Sequence, residues 1–134
     1  MNTYESKVVR INRRAEDVFN TLSKFDNFSP MAQGRVENWQ ADHDSCSFSI
    51  KGITAGLRIV EREEHKTIKI TGNELVPMEF YLWIQLKEVA PYDTRMKITA
   101  KAELNMMMRM LLGKKLEEGV NSLADGIATA FNSI

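Results

Sequence analysis

Apolar residues recur along this chain with two different periods, and the switches between them mark its elements. In residues 3–12, Val9 and Ile11 alternate with Val8 and Arg10, which predicts a first strand. From Ala15 the period lengthens. Val18, Phe19, Leu22 and Phe25 recur at helical spacing, and Glu16 and Asp17 fall in the first turn, where carboxylates complement the positive end of the helix dipole. The run Asp26-Asn27-Phe28-Ser29-Pro30 ends that helix, and Pro30 after Ser29 favours one further helical turn over 29–33. Period two then returns in six stretches, 35–41, 45–51, 55–63, 66–72, 79–89 and 94–104. Their connections at Asp42-His43-Asp44, Glu64-His65 and Pro91-Tyr92-Asp93 are short and polar, so neighbours pair as antiparallel hairpins. Residues 107–134 close the chain as one long helix, with Met108, Leu112, Leu116, Val120, Leu123, Ile127, Phe131 and Ile134 as its apolar stripe.

The last two strands predict which sheet face this helix covers. Phe80, Leu82, Ile84 and Leu86, then Met96, Ile98, Ala100, Ala102 and Leu104, share one face, opposite Gln85, Lys87, Arg95, Lys97, Lys101 and Glu103. Tyr81 and Trp83 then point away from the helix, unless a one-residue slip exchanges the two faces. The predicted class is α+β, with a curved seven-stranded antiparallel sheet wrapped around the C-terminal helix and two short helices after the first strand. Residues 1–134 suit a single domain.

Charge narrows the functions. Eighteen basic and eighteen acidic side chains cancel, so no global field draws in a phosphate backbone, and nucleic acid is not an expected partner. The residues from Met1 to Lys7 lack the apolar run of a secretory signal, and no stretch reaches the length of a membrane span, so a cytoplasmic protein without an integral membrane segment is expected. The polar face of the long helix mixes Glu and Asp with Lys, which favours core packing over membrane binding. A lone Cys46, in alternation with Phe48 and Ile50, reads as a buried core residue.

Catalytic and metal chemistry finds little footing. His43 and His65 fall at separate turns without ligands at metal spacing, so neither a metal nor a cofactor is expected. Gly52 and Gly56 bracket a short connection between two strands and read as turn residues, since a phosphate loop would lead into a helix. The cluster Met106, Met107, Met108 and Met110 supports either gap filling or an adaptable lining for an apolar ligand, with Met78 and Met96 across the interior.

The stretch Val8-Val9-Arg10-Ile11-Asn12-Arg13-Arg14-Ala15-Glu16-Asp17-Val18-Phe19, followed by Leu22 and Ser23, resembles the strand-to-helix pattern of the START-like superfamily, also called SRPBCC or helix-grip. Arg13 and Arg14 replace the usual Ala-Pro of that pattern, while the element order resembles the superfamily over essentially the whole chain. The resemblance implies an internal cavity that binds a small hydrophobic or amphipathic ligand, in a superfamily that includes pollen-allergen-like proteins and polyketide cyclase/lipid-transport proteins. The cavity lining is then expected from Trp39, Phe48, Ile50, Leu57, Ile59, Phe80, Leu82, Ile84, Met96, Ile98, Met108, Leu112 and Leu116. Two connections that flank the entrance in such families correspond to Gly52, Ile53 and Gly56, and to the Gly72–Met78 segment with Leu75, Val76, Pro77 and Met78. Non-enzymatic binding or transport is the leading expectation. The alternatives are a cyclase or aldol-type enzyme using an inward Tyr81, Glu79 or Arg58, and an interaction module displaying Tyr81 and Trp83. Homodimerisation stays open.

Overall fold

The computed structural model describes residues 1–73, 75, 76 and 78–133. Its strands are β1 (Asn2–Glu5), β2 (Val9–Ile11), β3 (Glu37–Ala41), β4 (Ser45–Ile50), β5 (Ile53–Glu63), β6 (Thr67–Gly72), β7 (Phe80–Ala90) and β8 (Asp93–Ala102). The helices are α1 (Ala15–Leu22), α2 (Ser29–Ala32) and α3 (Met106–Asn132), with a 3₁₀ turn at Phe25–Phe28 before α2. All strand pairs are antiparallel. The sheet runs β1-β8-β7-β6-β5-β4-β3, and β2 also pairs with β8.

The predicted first strand is two strands here. Ser6 interrupts it: its backbone N–H donates to the Ile98 carbonyl, and its hydroxyl accepts from the Ile98 N–H, both at 2.8 Å. This local detour lets β1 and β2 pair successive parts of β8, so the sheet has eight segments where seven were expected.

The register settles the facing question. Ile70, Leu82 and Ala100 are cross-strand neighbours, as are Ile68, Ile84 and Ile98, so the inner face is the predicted one. Trp83 lies opposite Lys69 and Thr99, and Tyr81 opposite Thr71 and Lys101, on the outer face. There the Lys69 ammonium stands 4.7 Å from the Tyr81 ring centre and 5.4 Å from that of Trp83.

Helix α1 buries Ala15, Val18, Phe19 and Leu22. Its Arg14 N-cap supplies no side-chain bond; the Glu88 carboxylate accepts from the Ala15 N–H instead, at 2.9 Å. At the other end Arg62 donates to the carbonyls of Ser23 and His43 and to the Asp44 carboxylate, tying α1 to the β3–β4 turn. That turn is closed by Asp42, whose carboxyl is held below its usual range chiefly by the Ser45 and Asp44 N–H groups.

The core closes at one end of α3. Val120, Ala124, Ile127 and Ala128 are buried with Ile11, Phe25, Ile68, Ile84, Met96 and Ile98. Around them, α3 is latched to the N-terminal strands. Asn121 accepts from the Lys7 N–H at 2.8 Å, and Asp125 meets the Lys7 ammonium at 2.9 Å. Asn132 accepts from the Asn12 N–H and donates to the Arg10 carbonyl. The opposite end begins at the Asn105 cap, which accepts from the Met108 N–H, and the Tyr4 ring lies against Gly113. Beyond that contact Met106, Met107, Met110 and Leu111 face away from the sheet, exposed by 71%, 71%, 81% and 67%, while Met108 and Leu112 on the apolar stripe are half-buried. Ile134, the last position of the expected stripe, lies outside the described residues.

Candidate functional site

Side-chain size along β8 creates the candidate site. Where Met96 and Ile98 face the helix, the interior is filled; where Ala100 and Ala102 face it, space remains. The resulting cavity of about 350 Å³ lies between β7, β8 and the middle of α3. Phe80, Leu82, Ala100 and Ala102 line it from the sheet, and Leu116, Gly119, Val120 and Leu123 from the helix. Val76 and Met78 cover it from the β6–β7 loop. Lys101 and Lys115 are the charged members of the lining, but the Lys101 ammonium is 5.6 Å from the Trp83 ring centre on the outer face. Lys115 is therefore the cation at the rim.

The β6–β7 loop is organised by Asn73. Its N–H donates to the Gly56 carbonyl at 3.1 Å, its side-chain oxygen accepts from the Leu75 N–H at 2.9 Å, and its carbonyl accepts from the Val76 N–H at 3.0 Å. Leu75 is 46% exposed while Val76 turns inward to the cavity. The Gly72 α-carbon packs against Phe80 and Val76, leaving no room there for a side chain. Pro77 lies outside the described residues.

The expected lining residues separate into several places. Phe80, Leu82 and Leu116 come together in the cavity. Ile59, Ile84, Met96 and Ile98 are in the closed core. Trp39, Phe48 and Leu57 pack against that core from farther along the sheet, where Trp39 stacks on Phe48 and donates to the Ser29 hydroxyl at 2.9 Å. Ile50 is 47% exposed at the end of β4, and Met108 and Leu112 are half-buried on α3 outside the cavity lining.

Of the first expected entrance, Gly52 forms the tip of the β4–β5 hairpin with Lys51, both taking positive φ as a tight two-residue turn requires, and Ile53 opens β5 opposite Ile50. Gly56 is not a turn residue: it lies inside β5, and the Asn73 side chain occupies the space where its own would stand. Ala100, Ala102 and Gly119 were absent from the expected lining. Their small volume was the available signal, because a cavity opens where side chains are short.

A larger groove of about 700 Å³ runs outside, past Arg14, Glu16, Glu63, Lys66, Lys87 and Glu88. Its cations and anions alternate, so it favours no single ligand charge. The Cys46 thiol is buried beside the core, and burial pushes its pKa up to about 11. Arg58 pairs in register with Ser45 and Thr71, on the same outer face as Tyr81, so neither of those candidate catalytic groups reaches the cavity. Glu79 is exposed just before β7. Among the described residues, no helix is long and apolar enough to cross a membrane.

No protein-family model matches the chain, and no curated protein matches it by sequence. Similar solved structures include a START superfamily protein from Mycobacterium smegmatis, with a TM-score of 0.68 at 14% identity over 98% of this chain and 97% of that one. The Aha1 dimer from Colwellia psychrerythraea gives 0.62 at 16% identity, covering 96% and 97%. The di-domain ARO/CYC BexL gives 0.75 at 10% identity, covering 96% of this chain and 45% of that one. At these identities the shared property is the architecture: the chain has the helix-grip fold of START-like proteins.

Proposed function

We propose that the protein binds a small amphipathic molecule, its apolar body in the cavity between β7, β8 and α3 and an acidic head beside Lys115. The observation that carries this reading is the cavity itself, an apolar space of about 350 Å³ with one cation at its rim. That volume is near the small end of the roughly 300–1,000 Å³ typical of ligand pockets, so a compact ring or short-chain carboxylate suits it better than a two-chain lipid. Val76 and Met78 form the cover, and a thioether adapts to ligands of different outline.

The experiment is a titration with a short fluorescent fatty acid, read beside thermal melts. Saturable binding is expected, and Ala100→Phe, which fills the cavity, should weaken it at least tenfold. Replacing Leu75 and Val76 with Ser should weaken it without unfolding the domain. Lys115→Gln should lower affinity for the acid but leave that for the matching alcohol unchanged. Non-saturable binding, or equal affinity in the wild type and Ala100→Phe, would reject the reading.

A further inference from the structure

The exposed start of α3 has no task in the ligand reading. Met107, Met110 and Leu111 are helical neighbours at spacings of three and four, and Met106 adjoins Met110 by the same rule, so the four form one patch. Large apolar side chains in contact with water at this density mark a surface that something covers.

Charge indicates what covers it. From Asn105 to Leu116 the chain carries Arg109, Lys114 and Lys115 and no carboxylate; the first acids are Glu117 and Glu118. Among the described residues these three cations form no ion pair. The helix start also carries the positive end of the dipole, and its first turn holds no acidic residue, whereas α1 places Glu16 and Asp17 there. A second copy of the chain meeting this patch across a two-fold axis would bring like charges together. A sheet of anionic headgroups would instead accept the cations while its acyl boundary takes the apolar side chains.

We propose that the first three turns of α3 dock on the surface of an anionic bilayer, with Met106, Met107, Met110 and Leu111 inserted and Arg109, Lys114 and Lys115 at headgroup level. The docked end adjoins the cavity rim at Lys115 and Leu116, so docking turns that rim towards the bilayer. The docking stands whether or not the cavity takes a ligand.

The test uses the full chain sedimented with phosphatidylcholine vesicles with and without phosphatidylglycerol. Binding is expected to need phosphatidylglycerol and to fall steeply as salt rises. Arg109→Gln with Lys114→Gln should weaken it by about five-fold per cation. Met110→Ser with Leu111→Ser should abolish sedimentation while leaving fatty-acid titration and the thermal melt unchanged. Leu111→Cys carrying a polarity-sensitive fluorophore should brighten with anionic vesicles alone, Cys46 being buried. Absence of wild-type binding, equal binding to neutral vesicles, or binding unaffected by these substitutions would overturn the proposal. So would concentration-dependent dimerisation lost in Met110→Ser/Leu111→Ser, which would assign the patch to a second copy.

Discussion

The two ends of α3 belong to one unbroken helix with one apolar stripe, yet they live in different surroundings. Towards the C-terminus, Val120, Ala124, Ile127 and Ala128 are buried, and Asn121, Asp125 and Asn132 bind the N-terminal strands. Towards the N-terminus, the Asn105 cap and the Tyr4 contact at Gly113 are succeeded by exposed methionines. A continuous periodic pattern therefore establishes a continuous helix, but not uniform burial: Met108 and Leu112 on the stripe are half-buried where Val120 and Ile127 are fully so. Where the contact ends is decided by the partner: Met96 and Ile98 of β8 meet the helix fully, whereas Ala100 and Ala102 leave a gap before the sheet runs out.

Substitutions can set these ends against each other. The largest effect belongs to Ile127→Ala, which leaves a cavity in the closed core and should cost about 2–5 kcal/mol in chemical denaturation. Loss below 1 kcal/mol would mean that the C-terminal half is not the clamped one. Asn132→Ala removes two hydrogen bonds to the chain around β2 and should cost roughly 1–2 kcal/mol. Asn105→Ala should cost about 1 kcal/mol or less if the helix start frays independently, and amide exchange should then quicken in residues 106–112 while residues 120–128 keep their protection. Smallest of all, Met110→Ala with Leu111→Ala should stay within about 0.5 kcal/mol of the wild type, as surface changes do. Cys46 reports on the clamped core: thiol labelling at neutral pH should be slow, should accelerate in Ile127→Ala, and should not change in Met110→Ala/Leu111→Ala.

The architecture was legible because its signals are local and periodic. Val18, Phe19 and Leu22 announced the first helix and are buried in it, Phe25 of the expected stripe is buried from the 3₁₀ turn beyond the helix end, and the alternation in 79–104 predicted which face α3 covers. What escaped depends on pairs far apart in the chain. Ser6 breaks the first strand through Ile98, and Gly56 is a glycine because Asn73 needs its space, neither of which a window of neighbouring residues contains. The lining was misplaced for a related reason. Large apolar residues such as Met96 and Ile98 draw attention on an inner face, but they fill space, while Ala100 and Ala102 make it. Likewise, averaging charge over the whole of α3 hid the acid-free stretch at its start.

The closure of the sheet also sets the order in which the chain can fold. β1 and β2 pair with β8, matching Asn2 to Ala102 and Val9 to Met96, and the latches from Lys7 and Asn12 reach Asn121 and Asn132. The hairpins from β3 to β8 need only short loops, so they can form early. β1 and β2 must wait for β8 before they can pair, and until α3 arrives the inner face of the meander is open to water. Such long loop closures slow folding and prolong the life of an aggregation-prone intermediate. The fold thus depends on α3 to protect the meander that forms before it.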